Sequence, residues 1–420
     1  MADHLRTVGH QVELRSTTAD DQPIVEDDFD VIVVQGRSLL DHRHLHRSAT
    51  PMIVDLYDPF LLEALHRGGD DPIRRADLIE GARRTLVDQL ARGDFFLAAS
   101  ERQRDFWLGW LASVGRINAA THAADPELRH LIDTVPFGID PTAAAASDTP
   151  LADAHGLDPA DPIVLWAGGL HDWLDPLTVV RAIDRVRAVI PDVRLVLLGA
   201  HHPDPEHDEP ATLAAIRAEV EQRGLADHVL LHPTWLPYAQ RGAALGEARV
   251  GVTAQQADIE ARFSFRTRLL DHAWAGLPTV ATGGDELADY FASVGAAHLA
   301  APGDDAAFAG ALIEFLSDPD AHAAAAAATA GPRSRYRWSD ALVPVLDFVA
   351  TPRRAPDLLD ATLAPGIESR RPEIPRGVSR AVERAQVHLR SGGPRALVSK
   401  SLKAAGRTVQ TARGRSAPRP

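Results

Sequence analysis

Residues 263–282 read FSFRTRLLDHAWAGLPTVAT, and the rest of the chain can be laid out from them. Leu269, Leu270, Ala273, Trp274 and Leu277 recur at helical spacing and form one apolar stripe. Gly276 stops that helix, Pro278 bars its return, and Thr279, Val280 and Ala281 read as a short buried strand. A helix delivered straight into a buried strand is one unit of an α/β fold with a parallel sheet. The start of the helix breaks the pattern. Arg266 and Arg268 sit in the first turn, where the helix dipole disfavours cations. An anion held on the free amides would explain them, and a phosphate or diphosphate is the natural ligand. The competing reading pairs Arg268 with Asp271, three residues on, and leaves Arg266 in solvent.

Working outward, further buried runs alternate with helical patterns on both sides. Towards the N-terminus, residues 3–15 read as the end of a helix followed by a strand at 11–14. Residues 30–36, 51–59 and 95–100 read as strands, and 72–91 and 101–113 as helices. Towards the C-terminus, strands are expected at 163–167, 194–199, 228–232 and 249–253, with helices at 176–190, 210–223, 237–246 and 304–316. This alternation predicts two doubly wound Rossmann-like sheets with a cleft between them, lined by the carboxyl ends of the strands. The expected division is 1–145 for the first domain and 146–335 for the second. A helix over 336–350 then returns towards the first, and a Pro-interrupted basic tail covers 351–420. Residues 141–161 are small, polar and unpatterned, which marks the linker.

Composition removes several chemistries. The chain has no cysteine, so disulfides, thiolate nucleophiles and cysteine metal sites are excluded. Lysine occurs only at Lys400 and Lys403, which excludes a Walker A phosphate loop and a lysine Schiff base from the folded part. Phosphate chemistry there must use arginine, backbone amides or metal. Residues 370–420 carry 13 Lys and Arg against 2 acidic residues, a balance of +11, and the remainder carries −25 to give the net −14. An acidic body is a poor nucleic-acid binder, so no nucleic-acid partner is expected. No run of about 18 apolar residues and no signal sequence is visible, which makes the cytoplasm the expected location.

The order of these elements, the sequence VPFGID at 135–140, the strand ending in Gly168 and Gly169, and LLDHAWAGLPTV at 269–280 together resemble the retaining nucleotide-sugar glycosyltransferases of the GT-B fold, family 4. The likeness spans about residues 1–350. It implies a nucleotide-diphosphate sugar as donor and a glycan or lipid-linked acceptor, with no metal and no other cofactor. Transfer with retention, in cell-surface polysaccharide synthesis, is the implied activity. By this resemblance Gly168 and Gly169 let amides approach the donor diphosphate, and Arg266 and Arg268 clamp it. Asp271 bonds the donor ribose, Thr234 and Trp235 lie at the nucleobase, and Asp55, Tyr57 and Asp58 face the acceptor. Asp58 is the candidate acid/base group, its rival reading being the cap of a turn before Pro59.

The chain also departs from that family. The first carboxylate of the family's Glu-x7-Glu pattern falls on Phe263, and Glu260 is the nearest substitute. The Arg and Lys expected after the glycine strand are replaced by Gly169 and by Asp172 or Trp173. The opening strand and Gly-rich loop are missing, which implies an unpaired edge in the first sheet. A start upstream of Met1 or a damaged protein are both open. Two rivals follow from this, an inactive nucleotide-sugar-binding or scaffold protein and a nucleotide-sugar epimerase. His42, His44 and His46 read as a solvated loop rather than a metal site, as does the His201–Glu209 cluster. The basic tail is suited to anionic membrane lipid and equally to being a solvated chain end.

Overall fold

The computed structural model describes residues 1–15, 24–69, 71–142, 144, 148–158, 160–200, 209–360 and 362. The basic tail and residues 201–208 of the histidine cluster lie outside them.

Two parallel sheets form the frame. The first comprises β1 (Ile32–Gln35), β2 (Met52–Asp55), β3 (Phe95–Ala98) and β4 (Ile132–Thr134), paired in that order. The second comprises β5 (Ile163–Trp166), β6 (Arg194–Leu197), β7 (Val229–Leu231), β8 (Val250–Thr253), β9 (Thr279–Thr282) and β10 (Ala297–Ala300). Its spatial order is β10-β9-β8-β5-β6-β7, so the winding reverses between β5 and β8. Such a reversal opens a crevice at the carboxyl ends of the two strands. Gly168 and Gly169 leave β5 at that point, and Gln255 leaves β8.

Burial explains why these segments are strands. β2, β3, β5, β8 and β9 read as short apolar runs because helices cover both faces of the sheets. In the second domain the helices Pro176–Val186 and Asp305–Ser317 supply Val179, Ile183, Phe308 and Leu312 to one core. The helix Thr267–Ala275 buries Leu269, Leu270 and Ala273 and ends at Gly276 with φ +71°, a conformation that suits glycine.

The C-terminal segment returns to the first domain. On the helix Val343–Ala350, Phe348 stacks on Phe95 of β3 at 5.2 Å. Beyond it, Arg354 Nε donates to Asp94 at 2.8 Å, and the buried pair Arg116–Asp357 closes at 2.5 Å.

Several local expectations need correction. Residues 10–15 form no strand: the Val12 carbonyl accepts from Arg6 Nε and Nη2 (3.2 and 2.8 Å), so a side chain takes the place of a ladder partner. Pro344 divides the expected 338–350 helix into Trp338–Ala341 and Val343–Ala350. A short helix, Pro150–His155, lies in the stretch expected as linker, and Ile259–Phe263, Glu286–Ser293 and β10 were not foreseen. Among the described residues β1 pairs on one side only, and Val33 on it is 44% exposed.

Candidate functional site

On the second domain, Arg268 is the cation that meets the glycine loop. Its Nη2 donates to Gly169 O at 2.9 Å, and its guanidinium lies 5.5 Å from the Trp166 ring centre. A Cβ on Gly168 would stand 2.2 Å from Arg268 Nε, so only glycine permits this packing. Arg268 Nε is itself buried with no hydrogen-bond partner among the described residues. Burial, reinforced by Arg266, pulls the guanidinium pKa down to about 10, which leaves it charged at neutral pH.

Arg266 does not share that position. It is 4% exposed, its Nε donates to Asp285 at 2.6 Å, and its Nη2 pairs with the same carboxylate and donates to Thr282 O at 2.5 Å. Nη1 faces Thr253 O and Thr282 Oγ1 at 3.5 and 3.4 Å. The expected paired clamp is therefore corrected: Arg266 is neutralised by the protein's own carboxylate and ties the start of its helix to β8 and β9. Its place at a helix start reflects a partner 19 residues away rather than an anion.

Asp271 is paired with Arg241 at 3.0 Å. Burial pushes its pKa up to about 6 against the pull of Arg241 and Arg268. Arg241 lies 4.4 Å from the Tyr238 ring centre and 4.9 Å from that of Trp274. Thr234, Trp235 and Tyr238 are exposed on the neighbouring loop.

Across the cleft, β1 and β2 end at a hollow of about 280 Å³ lined by Gln35, Gly36, Asp55, Tyr57, Asp58 and Phe60. Asp55 Oδ1 accepts from Tyr57 N at 3.1 Å, and burial pushes its pKa up to about 6. Asp58 is hydrogen-bonded to Glu63, and burial raises both, so the pair retains a proton at neutral pH. Tyr57 packs edge-on against Phe137 at 4.7 Å, and burial raises its hydroxyl pKa. A larger hollow of about 520 Å³, at the N-termini of helices Pro176–Val186 and Ala211–Arg223, contains none of these residues.

The two sides are held close. Gln103, fully buried, donates from Nε2 both to Tyr57 O in the first domain and to Phe263 O in the second, each at 2.8 Å. Phe106 packs on Phe263 at 4.8 Å, His66 Nε2 reaches Asp258 at 2.7 Å, and Arg67 lies 5.0 Å from the Trp173 ring centre.

Sequence reasoning missed Glu63 and Gln103. Glu260 was considered only as a substitute for the carboxylate absent at Phe263. The short helix Ile259–Phe263 turns it inward to 2% exposure, and burial with the nearby charge of Asp258 pushes its pKa up to about 8. Of the histidine run, His44 Nε2 contacts Ile24 O at 3.0 Å. No cluster of three or more metal-ligating side chains occurs among the described residues, and none of their helices is long and apolar enough to cross a membrane.

With this geometry in place, known proteins can be compared. Residues 161–318 match the family profile described as Glycosyl transferases group 1. A D-inositol 3-phosphate glycosyltransferase of Xylanimonas cellulosilytica is 28% identical over 315 residues, spanning 74% of this chain and 70% of that protein. Among solved structures, sucrose-phosphate synthase of Thermosynechococcus elongatus superposes with a TM-score of 0.55 at 16% identity, covering 77% of this chain and 73% of that one. Anabaena Alr3699/HepE, in complex with UDP and glucose, gives 0.55 at 14% identity, covering 77% and 78%. The chain thus has the GT-B fold, and its residues 161–318 form a group 1 glycosyltransferase domain.

Proposed function

We propose that the cleft is the active site of a retaining glycosyltransferase. The donor nucleotide-diphosphate sugar lies against the second sheet, its diphosphate between the Gly168–Gly169 backbone and Arg268. The acceptor hydroxyl enters from the hollow at Asp55, Tyr57 and Asp58. The bond from the sugar's anomeric carbon to the diphosphate oxygen breaks, and a bond to the acceptor oxygen forms on the same face. The acceptor proton passes to the leaving diphosphate oxygen, so no side-chain base is required. Stabilising the charge gathering on the diphosphate is then the main catalytic contribution, and Arg268 supplies it.

The observation that carries this reading is the unpartnered, buried Nε of Arg268 beside a loop that admits no side chain at position 168. An unsatisfied buried donor is costly, and a ligand oxygen would repay it. A nucleotide donor is also supported by the neighbour crystallised with UDP. Asp271, oriented by Arg241, would bond the ribose, with Thr234 and Trp235 at the base. The wider role proposed is cell-surface polysaccharide synthesis on a lipid-linked acceptor, the basic tail lying on anionic lipid at the cytoplasmic face.

A second reading, a nucleotide-sugar-binding protein without turnover, is favoured by one observation: Arg266 is sealed by Asp285 and Phe263 holds the place of a carboxylate. The test is a panel of UDP- and GDP-sugars followed by nucleotide binding and nucleotide release. Arg268→Ala is expected to lower release by about 10²–10³-fold, the scale of losing one preorganised charge-stabilising donor. Wild-type turnover in Arg268→Ala would remove the mechanism, and binding without any release would select the second reading.

A further inference from the structure

The acceptor hollow has a charge character of its own. Its lining provides two carboxyl groups, a phenol and a carboxamide, from Asp55, Asp58, Tyr57 and Gln35, and contains no Lys, Arg or His. Cations stand nearby but are engaged elsewhere. Arg67 faces Glu63 at 3.4 Å and Trp173 at 5.0 Å, and Arg268 holds Gly169 O. The α-amino group of Met1 lies within electrostatic reach of Asp55.

Carboxylate oxygens accept hydrogen bonds and donate none when ionised. Asp55 commits Oδ1 to Tyr57 N, and its second oxygen is available to a ligand donor. Such a lining pairs with hydroxyl or ammonium donors and repels anions. A hollow of about 280 Å³ lies at the small end for ligand pockets and suits one sugar ring. We propose that the hollow takes as acceptor a carbohydrate end bearing hydroxyl or amino groups, and rejects acceptors carrying a phosphate at the atoms that enter it. The inference rests on the transferase reading of the cleft and narrows its substrate class. It sets this chain apart from the relative whose name specifies D-inositol 3-phosphate. The retained charge on Asp55 and on the Asp58–Glu63 pair at neutral pH is consistent with it.

The experiment uses the full chain saturated with UDP, and titrates in matched pairs: myo-inositol against D-inositol 3-phosphate, and glucose and glucosamine against glucose 6-phosphate. Binding is followed by ligand-observed NMR, and UDP affinity is measured separately. The unphosphorylated member of each pair is expected to bind at least about tenfold tighter, the discrimination that one like-charge contact in a partly desolvated site supplies. Asp55→Asn and Asp58→Asn, each checked for an unchanged melting profile, should shrink that ratio. A phosphorylated acceptor binding equally or better overturns the proposal, as does a ratio that neither Asn variant moves. Failure of every acceptor to bind while UDP binds also overturns it. Failure of UDP itself to bind would refute the reading of the cleft instead.

Discussion

Replacing Arg266 by Ala separates the two roles an arginine at this helix start could have. Asp285 is 0% exposed, and besides Arg266 it is held by the Ala288 N–H at 2.9 Å as the cap of the following helix. Without the guanidinium it becomes a buried charge with one backbone donor, and Thr282 O loses its partner at 2.5 Å. Breaking one side of a buried ion pair costs about 3–5 kcal/mol. At roughly 2–4 °C per kcal/mol for a domain of this size, the melting temperature should fall by on the order of 10 °C. The assay is a calorimetric melt, paired with UDP titration well below the transition. Arg266→Ala should melt early yet bind UDP within about threefold of the parent, since RT ln 3 lies below the value of a single ordinary hydrogen bond. Adding Asp285→Asn should restore part of the loss, because the orphaned charge is then gone. The reasoning is refuted if Arg266→Ala melts with the parent and loses UDP affinity, which is what a diphosphate clamp would do.

Gly168→Ala would drive a methyl group to within 2.2 Å of Arg268 Nε, so it should cost about 1–3 kcal/mol in a melt and weaken UDP binding together. Gln103→Ala removes the two 2.8 Å bonds that join Tyr57 O to Phe263 O; a larger radius of gyration in solution scattering is expected, and an unchanged one would show that other contacts hold the domains. Glu260 gives a stability slope with pH. Its folded pKa of about 8 exceeds its ordinary 4.5, so its contribution is full below about 4.5 and is lost as pH rises to about 8. The slope is about 1.4 kcal/mol per pH unit in that window. Glu260→Gln should flatten the denaturation midpoint between pH 5 and 8, and a wild-type slope in that variant would contradict the assignment.

The frame was legible in the sequence because its physics is local. Ile163–Trp166 and Val250–Thr253 are apolar runs too short for helices, and only a sheet covered on both faces buries them. Gly276 and Pro278 end one helix by backbone geometry alone. The site was half legible for the opposite reason. Arg266 and Arg268 break the same dipole rule, and nothing within six residues distinguishes them. What does so is Asp285, which in sequence reads only as the N-cap of Glu286–Ser293. Glu260 was obscured because the Glu-x7-Glu spacing points at Phe263, while the carboxyl comes from a helix five residues long. Gln103 lies on an amphipathic helix whose pattern gives no sign that its amide bridges two chain segments 160 residues apart.

Charge in the closed cleft leads to one further expectation. The second domain offers the diphosphate a single uncommitted donor edge, on Arg268, while Glu260 interacts with that same guanidinium and is surrounded by Asp258, Asp58, Asp285 and Arg266. An anion seated on Arg268 disfavours the ionised form of Glu260 further, so its pKa must rise on binding. Near pH 8 the free protein holds Glu260 partly ionised, and UDP binding should then draw in up to one proton. By linkage, affinity is level well below pH 8 and falls as pH rises through that value, by at most about tenfold per unit. Titration calorimetry at pH 8 in two buffers of different ionisation enthalpy measures the uptake directly. Glu260→Gln should abolish it while leaving the Asp271–Arg241 pair in place. No uptake at pH 8, with UDP bound, would mean that the diphosphate rests away from Arg268.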